Sequence, residues 1–365
     1  MITPDIKDVI DRFDYIGAPI AVKCCNKGHI NGTYFVDCEA DGRKQRYVLQ
    51  SINTSIFKNP EHVMENIVNV TGHIKKKLLK EGKDPVQGTI NIVFTKDGRS
   101  FHTDESGNYW RSYIFVEGDC YRSAEAPEIM ENVGKAFGHF QMQLSDFDAS
   151  ALHETIPDFH NTVNRFADFE KALANDLVGR ATEIEDDIRF ILDRKEKCSF
   201  IMDGISDGRF PLRVTHNDTK LNNIMMDPET GEGRCVIDLD TVMPGSVLAD
   251  FGDAIRFGAS NAAEDETDLD NVYIRLDMFE GFAKGFVEGL EGSLTESEIR
   301  ALPMGALTIT FEQSIRFLED YLNGDIYFRT DYLEHNLDRA RNQMKLVADM
   351  ESQMDEMNRI IEKYI

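Results

Sequence analysis

The sequence has few cysteines, and their positions exclude two kinds of cysteine chemistry. Six cysteines are spread over 365 residues, and no two of them have the C-x-x-C spacing. A structural zinc site built on such pairs is therefore not expected. A disulfide framework is not expected either, because large chains with few cysteines are usually reduced and intracellular.

Long apolar segments are also missing. The chain contains no run of about 18 apolar residues, so no membrane span is predicted. Its first residues, MITPDIKDVIDRF, are amphipathic and acidic, and they lack the apolar region of a secretion signal. We therefore expect a cytoplasmic protein that has no membrane partner.

Positive charge is scarce. The chain has 40 Lys and Arg against 65 Asp and Glu, which gives a formal net charge of −25 at pH 7. Such a protein repels nucleic acid and anionic membranes, so neither is expected as a partner. If its substrate is anionic, a metal ion or a few well-placed cations must provide the attraction.

The first third of the chain has the patterns of a strand-rich region. Short apolar or alternating runs cover residues 18–25, 33–40, 46–50, 89–98 and 109–118. One helix is predicted among them, over residues 59–82. Asn59 can cap this helix, Pro60 suits its first position, and Gly82 can end it.

After Gly118 the pattern changes to long helical periodicities. They cover approximately residues 126–145, 159–175, 181–197, 272–290, 296–321 and 330–364. Only residues 213–240 interrupt them, with two short strands around a polar loop. The sequence therefore predicts an α+β protein with a sheet lobe, residues 1–118, and a helical lobe, residues 119–365.

The polar loop, HNDTKLNNIMMD, has the spacing of a phosphoryl-transfer motif. His216, Asp218 and Asn223 match the pattern H-x-D-x-x-x-x-N of kinase catalytic loops. In such a loop the aspartate accepts the proton of the substrate hydroxyl, and the asparagine binds a metal ion. The loop therefore predicts Asp218 and His216 as catalytic residues and Asn223 as a metal ligand.

A second acidic segment, CVIDLDT, follows the loop. Asp238 comes at the end of its short strand, where a carboxylate suits Mg²⁺ bound to phosphates. Asp240 lies two residues later, and it is either a second metal ligand or a solvated side chain.

A glycine-containing turn, NKGHINGTYFV, joins the first two predicted strands. Gly28 and Gly32 would let backbone amides approach phosphate oxygens. Because this turn opens the sheet lobe, Gly28, Gly32 and Thr33 are candidates for nucleotide binding.

These motifs resemble the aminoglycoside phosphotransferase and choline kinase superfamily, and the strings VIDLDTVMPG and LADFGDAIRFGAS add to the resemblance. It implies a protein-kinase-like bilobal fold, with ATP and Mg²⁺ as cofactors and a small-molecule substrate. Longer strings, THNDTKLNNIMMD, YVLQSINTSIF and MENIVNVTGHI, resemble the branch that phosphorylates the anomeric hydroxyl of N-acetylglucosamine or N-acetylgalactosamine. A monomer is expected.

The resemblance also implies roles for single residues. Asp218 would be the catalytic base, Asn223 and Asp238 would hold Mg²⁺, and Asp250 would tie the metal segment to the loop. Gln50 and Val116 would join the nucleotide-binding set. The positions that contact the sugar would be His29, Phe257, Arg316 and Tyr327, although packing within the protein is an alternative role for the last three.

The sequence departs from the kinase pattern at one position. Typical kinases carry a lysine on the third strand, which contacts the phosphates and pairs with a helix glutamate. Here Gln50 takes the lysine's place, although Glu65 lies in the following helix. Glutamine cannot pair with phosphate as lysine does, so either another cation substitutes, or Mg²⁺ and backbone amides suffice.

Two alternatives to a hexosamine kinase therefore stay open. One is a kinase of the same fold that acts on an amino alcohol, an aminoglycoside or another sugar. The other is a catalytically silent binding module, which the missing lysine would explain.

Overall fold

The computed structural model describes residues 4–25 and 31–365. Contacts divide the chain into two compact units. Unit 1 consists of Met1–Asp119, Ser150–Pro157 and Met225–Met243, and unit 2 consists of Cys120–Ala149, Asp158–Ile224 and Pro244–Ile365. Residues 26–30 of the glycine-containing turn, which include Gly28 and His29, lie outside the described residues.

The described residues form ten strands and eleven α-helices. The strands are β1 (Ala18–Cys25), β2 (Gly32–Ala40), β3 (Arg43–Ile52), β4 (Ile92–Val93), β5 (His102–Thr103), β6 (Tyr109–Ile114), β7 (Arg213–Thr215), β8 (Ile224–Met226), β9 (Gly233–Val236) and β10 (Met243–Gly245). The helices are α1 (Pro4–Ile10), α2 (Pro60–Lys80), α3 (Pro85–Gly88), α4 (Pro127–Gln143), α5 (Thr162–Asn175), α6 (Glu185–Leu192), α7 (Phe200–Ser206), α8 (Val247–Gly258), α9 (Leu276–Gly289), α10 (Glu296–Leu322) and α11 (His335–Ile361).

Unit 1 is built on an antiparallel sheet of six strands. Their order is β1-β2-β3-β6-β4, and β5 also pairs with β6. Because side chains alternate across a strand, Val36, Tyr47 and Leu49 pack together in a buried cluster on one face. Gln50 and Arg111 lie directly opposite each other on β3 and β6, and they belong to the other face.

Helix α2 begins and ends as its sequence predicts. The side chain of Asn59 accepts a hydrogen bond from the His62 N–H at 3.3 Å, and Gly82 follows the helix with a φ of 71°. The apolar residues at helical spacing are buried; they are Val63, Met64, Ile67, Val70, Ile74 and Leu78.

The strand predictions for unit 1 are confirmed in most places and wrong in one. The first three runs form β1, β2 and β3, and the last run forms β6. The strand predicted over residues 89–98 is wrong over most of its length, because only β4 and an isolated bridge between Thr95 and Phe13 pair within it. Gly98, with a φ of 81°, donates its N–H to Thr95 at 2.8 Å and closes a turn there instead.

Unit 2 is mainly helical, and α10 lies against α5, α8 and α11. Phe311, Ile315 and Leu318 of α10 pack with Phe166 and Phe169 of α5 in one buried cluster. Each predicted helical range contains a helix, although the range 181–197 contains only α6 and two short 3₁₀ turns. Helices α7 and α8 were not predicted.

Helices α4 and α9 meet through a face made of glycines. These residues are Gly134 and Gly138 on α4 and Gly281, Gly285 and Gly289 on α9. A Cβ atom on Gly285 would lie 1.9 Å from the Glu131 carbonyl oxygen, and one on Gly134 would lie 2.3 Å from the Phe282 carbonyl oxygen. The two backbones can therefore touch only because these positions have no side chains.

Unit 1 also contains a segment that returns from far along the chain. Asp119 and Met226 form an antiparallel bridge, with N–H to O distances of 2.9 and 2.8 Å. The bridge joins residues 225–243 to the end of the sheet segment. The prediction of one boundary, between residues 118 and 119, does not account for these later residues in unit 1.

Two expected absences can be compared with the structure. In the part of the chain that is described, no helix is both long and apolar enough to cross a membrane. All six cysteines lie in that part, and none of them forms a disulfide.

Candidate active site

The polar loop that follows β7 is fastened to α8 by a buried carboxylate. The backbone N–H groups of His216 and Asn217 donate to Asp250 at 2.9 and 2.6 Å. Asn217 has a φ of 63°, a left-handed conformation in which both N–H groups reach the same side chain. Asp250 is 1% exposed, and burial raises its pKa despite these donors.

Asp218 lies in the loop with a fixed set of partners. Its carboxylate forms an ion pair with Lys220 at 2.8 Å and accepts a hydrogen bond from Asn223 Nδ2 at 2.9 Å. Burial alone would raise the pKa of Asp218, but the charge of Lys220 outweighs it and lowers the pKa below its usual value. The side chain is 24% exposed, so an ionised carboxylate remains open to a ligand.

His216 contacts the backbone of the loop. Its ring is fully buried, and Nδ1 accepts a hydrogen bond from the Asp218 N–H at 3.2 Å. The edges of Phe137 and Phe140 enclose the ring. The described contacts are those of a residue that orients Asp218, and a direct catalytic role for His216 stays a prediction.

Lys220 was not singled out in the sequence, although it is the closest cation to Asp218. Its Nζ lies 5.1 Å from the centre of the Phe257 ring, and the Arg256 guanidinium covers the same ring at 3.9 Å. Arg256 in turn pairs with Asp253, which accepts the Thr219 N–H at 2.8 Å. Phe257 is thus partly exposed beside the loop and next to two cations.

The second acidic segment belongs to unit 1. Asp238 is exposed and has a left-handed φ of 59°, and it lines a small pocket together with Arg111 and Tyr113. Asp240 is 3% exposed, forms an ion pair with Arg111, and accepts a hydrogen bond from Asn31 Nδ2 at 2.7 Å. The alternative that Asp240 is merely solvated is therefore wrong.

Gln50 and Thr33, both nucleotide-binding candidates, are joined to Arg111. Gln50 Oε1 accepts hydrogen bonds from Arg111 Nε at 3.0 Å and Nη2 at 2.8 Å, and Gln50 Nε2 donates to Thr33 Oγ1 at 3.1 Å. Glu65 turns elsewhere, to His153 Nε2 at 2.7 Å. Arg111 was not identified in the sequence, because its role depends on which strands are neighbours.

The other candidates for nucleotide binding are Gly28, Gly32 and Val116. Gly32 is exposed at the start of β2, whereas Val116 is buried just after β6. Gly28 and the predicted sugar contact His29 lie outside the described residues. Their roles stay predictions.

The side chains of the two predicted metal ligands fit Mg²⁺ by chemistry. Asn223 directs its amide nitrogen to Asp218, which leaves the amide oxygen as the atom that can face a cation. Asp238 offers an exposed carboxylate. Among the described residues no three His, Cys, Asp or Glu side chains form a metal-binding group. Mg²⁺ does not require such a group, because it needs only one or two protein oxygens and keeps waters and phosphates as its other ligands.

The other two predicted sugar contacts, Arg316 and Tyr327, lie in unit 2. The Arg316 guanidinium is 5.8 Å from the Tyr327 ring centre and 5.2 Å from the Phe159 ring centre. Tyr327 is 55% exposed, so packing alone does not account for its side chain.

A buried pair connects this aromatic group to the polar loop. His160 Nδ1 lies 2.7 Å from Glu312, and Nε2 lies 3.3 Å from the carbonyl oxygen of Asn217, the residue before Asp218. Burial opposes the charged form of His160, but Glu312 outweighs it and raises the pKa of the ring. Arg316 is one helical turn after Glu312. Arg316 and the rings of Phe159 and Tyr327 beside it are therefore close to the loop. His160 was not identified in the sequence.

Comparison with known proteins shows which family this chain matches and which solved structures have a similar fold. The model described as the phosphotransferase enzyme family matches residues 22–285. An aminoglycoside phosphotransferase from Alicyclobacillus acidocaldarius subsp. acidocaldarius DSM 446 is 12% identical with a TM-score of 0.60, over 100% of this chain and 97% of that one. A microcompartment-associated aminopropanol kinase is 14% identical with a TM-score of 0.58, over 97% and 98%. A choline kinase from Cryptosporidium parvum Iowa II is 13% identical with a TM-score of 0.57, over 96% and 94%. At these identities the similarity is one of fold, and it confirms the predicted α+β, protein-kinase-like class.

Proposed function

The chain belongs to the phosphotransferase enzyme family, and within that family we propose that it is an N-acetylhexosamine 1-kinase. In this proposal the γ-phosphoryl group of ATP passes to the anomeric hydroxyl of N-acetylglucosamine or N-acetylgalactosamine, and a sugar 1-phosphate and ADP are formed. The observation that carries the proposal is the ionised, partly exposed Asp218, held between Lys220 and Asn223 on a loop fastened to Asp250.

Asp218 supplies the base of the reaction. Its lowered pKa keeps the carboxylate ionised at neutral pH, so it can accept the hydrogen bond of an acceptor hydroxyl and take the proton as the phosphoryl bond forms. His216 accepts a hydrogen bond from the Asp218 N–H, Asp250 holds the backbone before Asp218, and Asp253 holds the backbone after it. These bonds limit the freedom of Asp218 to turn away.

Asn223 and Asp238 are proposed to hold Mg²⁺ through an amide oxygen and a carboxylate oxygen. When bound, Mg²⁺ would neutralise the charge of the phosphate groups and orient the group being transferred. This arrangement would also meet the difficulty that a chain of net charge −25 has in binding ATP. Asp240 is the weaker candidate, because Arg111 and Asn31 already occupy its carboxylate.

The charges beside the loop favour a neutral acceptor. Arg165 donates to the Phe159 carbonyl oxygen at 3.1 Å, so two arginines, Arg165 and Arg316, approach the same aromatic residue. Two acids, Glu312 and Glu319, lie near these arginines. Glu312 already pairs with His160, and burial raises the pKa of Glu319 to about 7, so Glu319 is only partly ionised at neutral pH. A polycationic aminoglycoside would be repelled there, whereas a sugar can use guanidinium donors and the faces of Phe159 and Tyr327.

An ADP-release assay with ATP, Mg²⁺ and a panel of sugars tests the proposal. Release should be fastest with N-acetylhexosamines, and ³¹P NMR should place the phosphate on the anomeric carbon. Asp218→Asn should lower kcat by about 10²–10⁴-fold. Asp193→Asn changes an exposed aspartate in the same unit and should leave the rate unchanged. Near-normal turnover by Asp218→Asn would refute the proposed base.

An amino alcohol kinase is the second candidate. It is favoured by the net charge of −25, which attracts a cationic acceptor over long distances. Similar folds occur in an aminopropanol kinase and a choline kinase. Faster turnover of amino alcohols than of any hexosamine would establish it instead. Nucleotide binding without ADP release for any acceptor would indicate a silent binding module.

A further inference from the structure

We infer that Arg111 replaces the missing lysine of the third strand: bound by Gln50, its guanidinium holds Asp240 and thereby fixes the turn that carries Asp238. The inference deepens the proposed function and rests on it, because Asp238 matters only if unit 1 binds a nucleotide with its metal ion. It makes Arg111 a positioning residue that acts through the acidic segment.

The register of the sheet brings Thr33, Gln50 and Arg111 together. Thr33 on β2 pairs with Gln50 on β3, and Gln50 pairs with Arg111 on β6. Residues that are directly opposite on neighbouring strands point to the same face, so the three side chains form one row across the sheet. Their hydrogen bonds follow this row from Thr33 through Gln50 to Arg111.

Arg111 is a buried cation at the end of this row. It is 2% exposed, and a buried charge without a partner is strongly unfavourable. Asp240 is its ion-pair partner, and the planar guanidinium can bind Gln50 and Asp240 at the same time.

Asp240 and Asp238 lie in the same short segment of the chain. Both residues belong to a tight turn, in which Leu239–Thr241 form a 3₁₀ helix and Asp238 has a left-handed φ of 59°. Asp240 is held at both ends, since Asn31 donates to its carboxylate at 2.7 Å and Thr155 donates to its carbonyl oxygen at 2.9 Å. Because only one residue separates the two aspartates, fixing Asp240 limits where the exposed carboxylate of Asp238 can lie.

Arg111 and Asp238 line the same small pocket. Gln50 itself cannot supply a charge, and Glu65, the acid on the helix after β3, pairs with His153. Compared with a typical kinase, the buried cation therefore lies on β6 instead of β3. Its acidic partner lies in the segment that carries Asp238 instead of on α2.

Substitutions at residue 50 and residue 111 test the inference through nucleotide binding, measured by calorimetry with a non-hydrolysable ATP analogue in Mg²⁺ and in EDTA. Arg111→Met should weaken binding in Mg²⁺ by about 10–100-fold, as expected when a residue that orients a metal ligand is lost. Binding in EDTA should change little, because that measurement does not involve the metal ligand. Arg43→Met, an exposed arginine on the same sheet, is the matched control and should leave both values unchanged.

Gln50→Lys tests whether Arg111 fills the place of the kinase lysine or whether that place has no cation. If the lysine's place were empty, a lysine at residue 50 would strengthen binding in Mg²⁺. If Arg111 fills that place, the new lysine faces a buried cation and should weaken binding instead. Tighter Mg²⁺-dependent binding by Gln50→Lys would overturn the inference.

Two further variants keep the test informative if Arg111→Met does not fold. Arg111→Lys keeps the charge and should restore part of the Mg²⁺-dependent binding. Gln50→Ala keeps the ion pair but removes two of its supporting hydrogen bonds, and it should show a smaller loss of the same kind. Equal Mg²⁺-dependent binding in wild type and these variants would refute the role of Arg111. A wild-type protein that binds no nucleotide would refute the proposed function, and the inference with it.

Discussion

Lys220 is the strongest influence that keeps Asp218 ionised. Their ion pair measures 2.8 Å, and it opposes the burial of Asp218, which favours the protonated acid. The pKa of Asp218 is lowered, so the base stays ionised until the pH falls below the ordinary aspartate value of about 3.9. In the same way, the contribution of this pair to stability is present above that pH and is lost as the pH falls through the lowered pKa.

Lys220→Met should shift the acid limb of the pH–rate profile to higher pH. The variant loses the nearest cation, and burial then raises the pKa of Asp218, so kcat/KM should decline at a pH where the wild type is still fully active. Lys171→Met removes an exposed lysine that also pairs with an aspartate, and its profile should match the wild type. An unchanged acid limb in Lys220→Met would show that Lys220 does not control the base.

The sequence predicts part of this residue-level arrangement. The spacing of Asp218 and Asn223 is short enough for one loop to bring them together, and they are hydrogen bonded. The partnership of Gln50 with Arg111 has no such local signature, since 61 residues separate them and only the register of β3 and β6 makes them neighbours.

At the scale of elements, the contact between α4 and α9 depends on glycine. Gly285→Ala would place a methyl group 1.9 Å from the Glu131 carbonyl oxygen, so the helices must separate. We expect the free energy of unfolding to fall by about 1–3 kcal/mol, the usual cost of overpacking. Denaturation by urea measures this loss.

Gly72→Ala is the control for this prediction. Gly72 lies within α2 with open space around its Cα, so alanine meets no neighbour there. The same substitution should stabilise the protein by roughly 0.4–1 kcal/mol, because alanine reduces the freedom of the unfolded chain. A similar gain at residue 285 would mean that the helices are not in close contact.

Elements with local signals were predictable, and elements defined by their surroundings were not. Helix α2 has its own cap at Asn59 and an amphipathic pattern, so its limits follow from the sequence. Helix α8 is short and buried at nearly every position, and its polar residues Asp250 and Asp253 contact the polar loop instead of solvent. The glycines of α4 and α9 are visible in the sequence, but their spacing does not say which helix they meet.

For the whole molecule, the net charge of −25 should affect how nucleotide arrives. ATP with Mg²⁺ is itself anionic, and screening shortens the range of repulsion from about 30 Å at 0.01 M salt to about 8 Å at 0.15 M. The association rate should therefore rise with salt over this range, by at most about tenfold.

Stopped-flow binding of a fluorescent ATP analogue measures the rate, and binding of a neutral sugar serves as the control. The sugar's association rate should not depend on salt. A nucleotide association rate that falls with salt would mean that local cations attract the nucleotide more strongly than the whole chain repels it.

The bridge between Asp119 and Met226 has a consequence for how the protein is made. The strands of unit 1 leave the ribosome early, but the segment that completes the unit, residues 225–243, is translated more than a hundred residues later. Contacts so distant in sequence form slowly. The nascent amino-terminal sheet must therefore wait without this segment while much of unit 2 is synthesised, and this interval is when chaperones would be needed most.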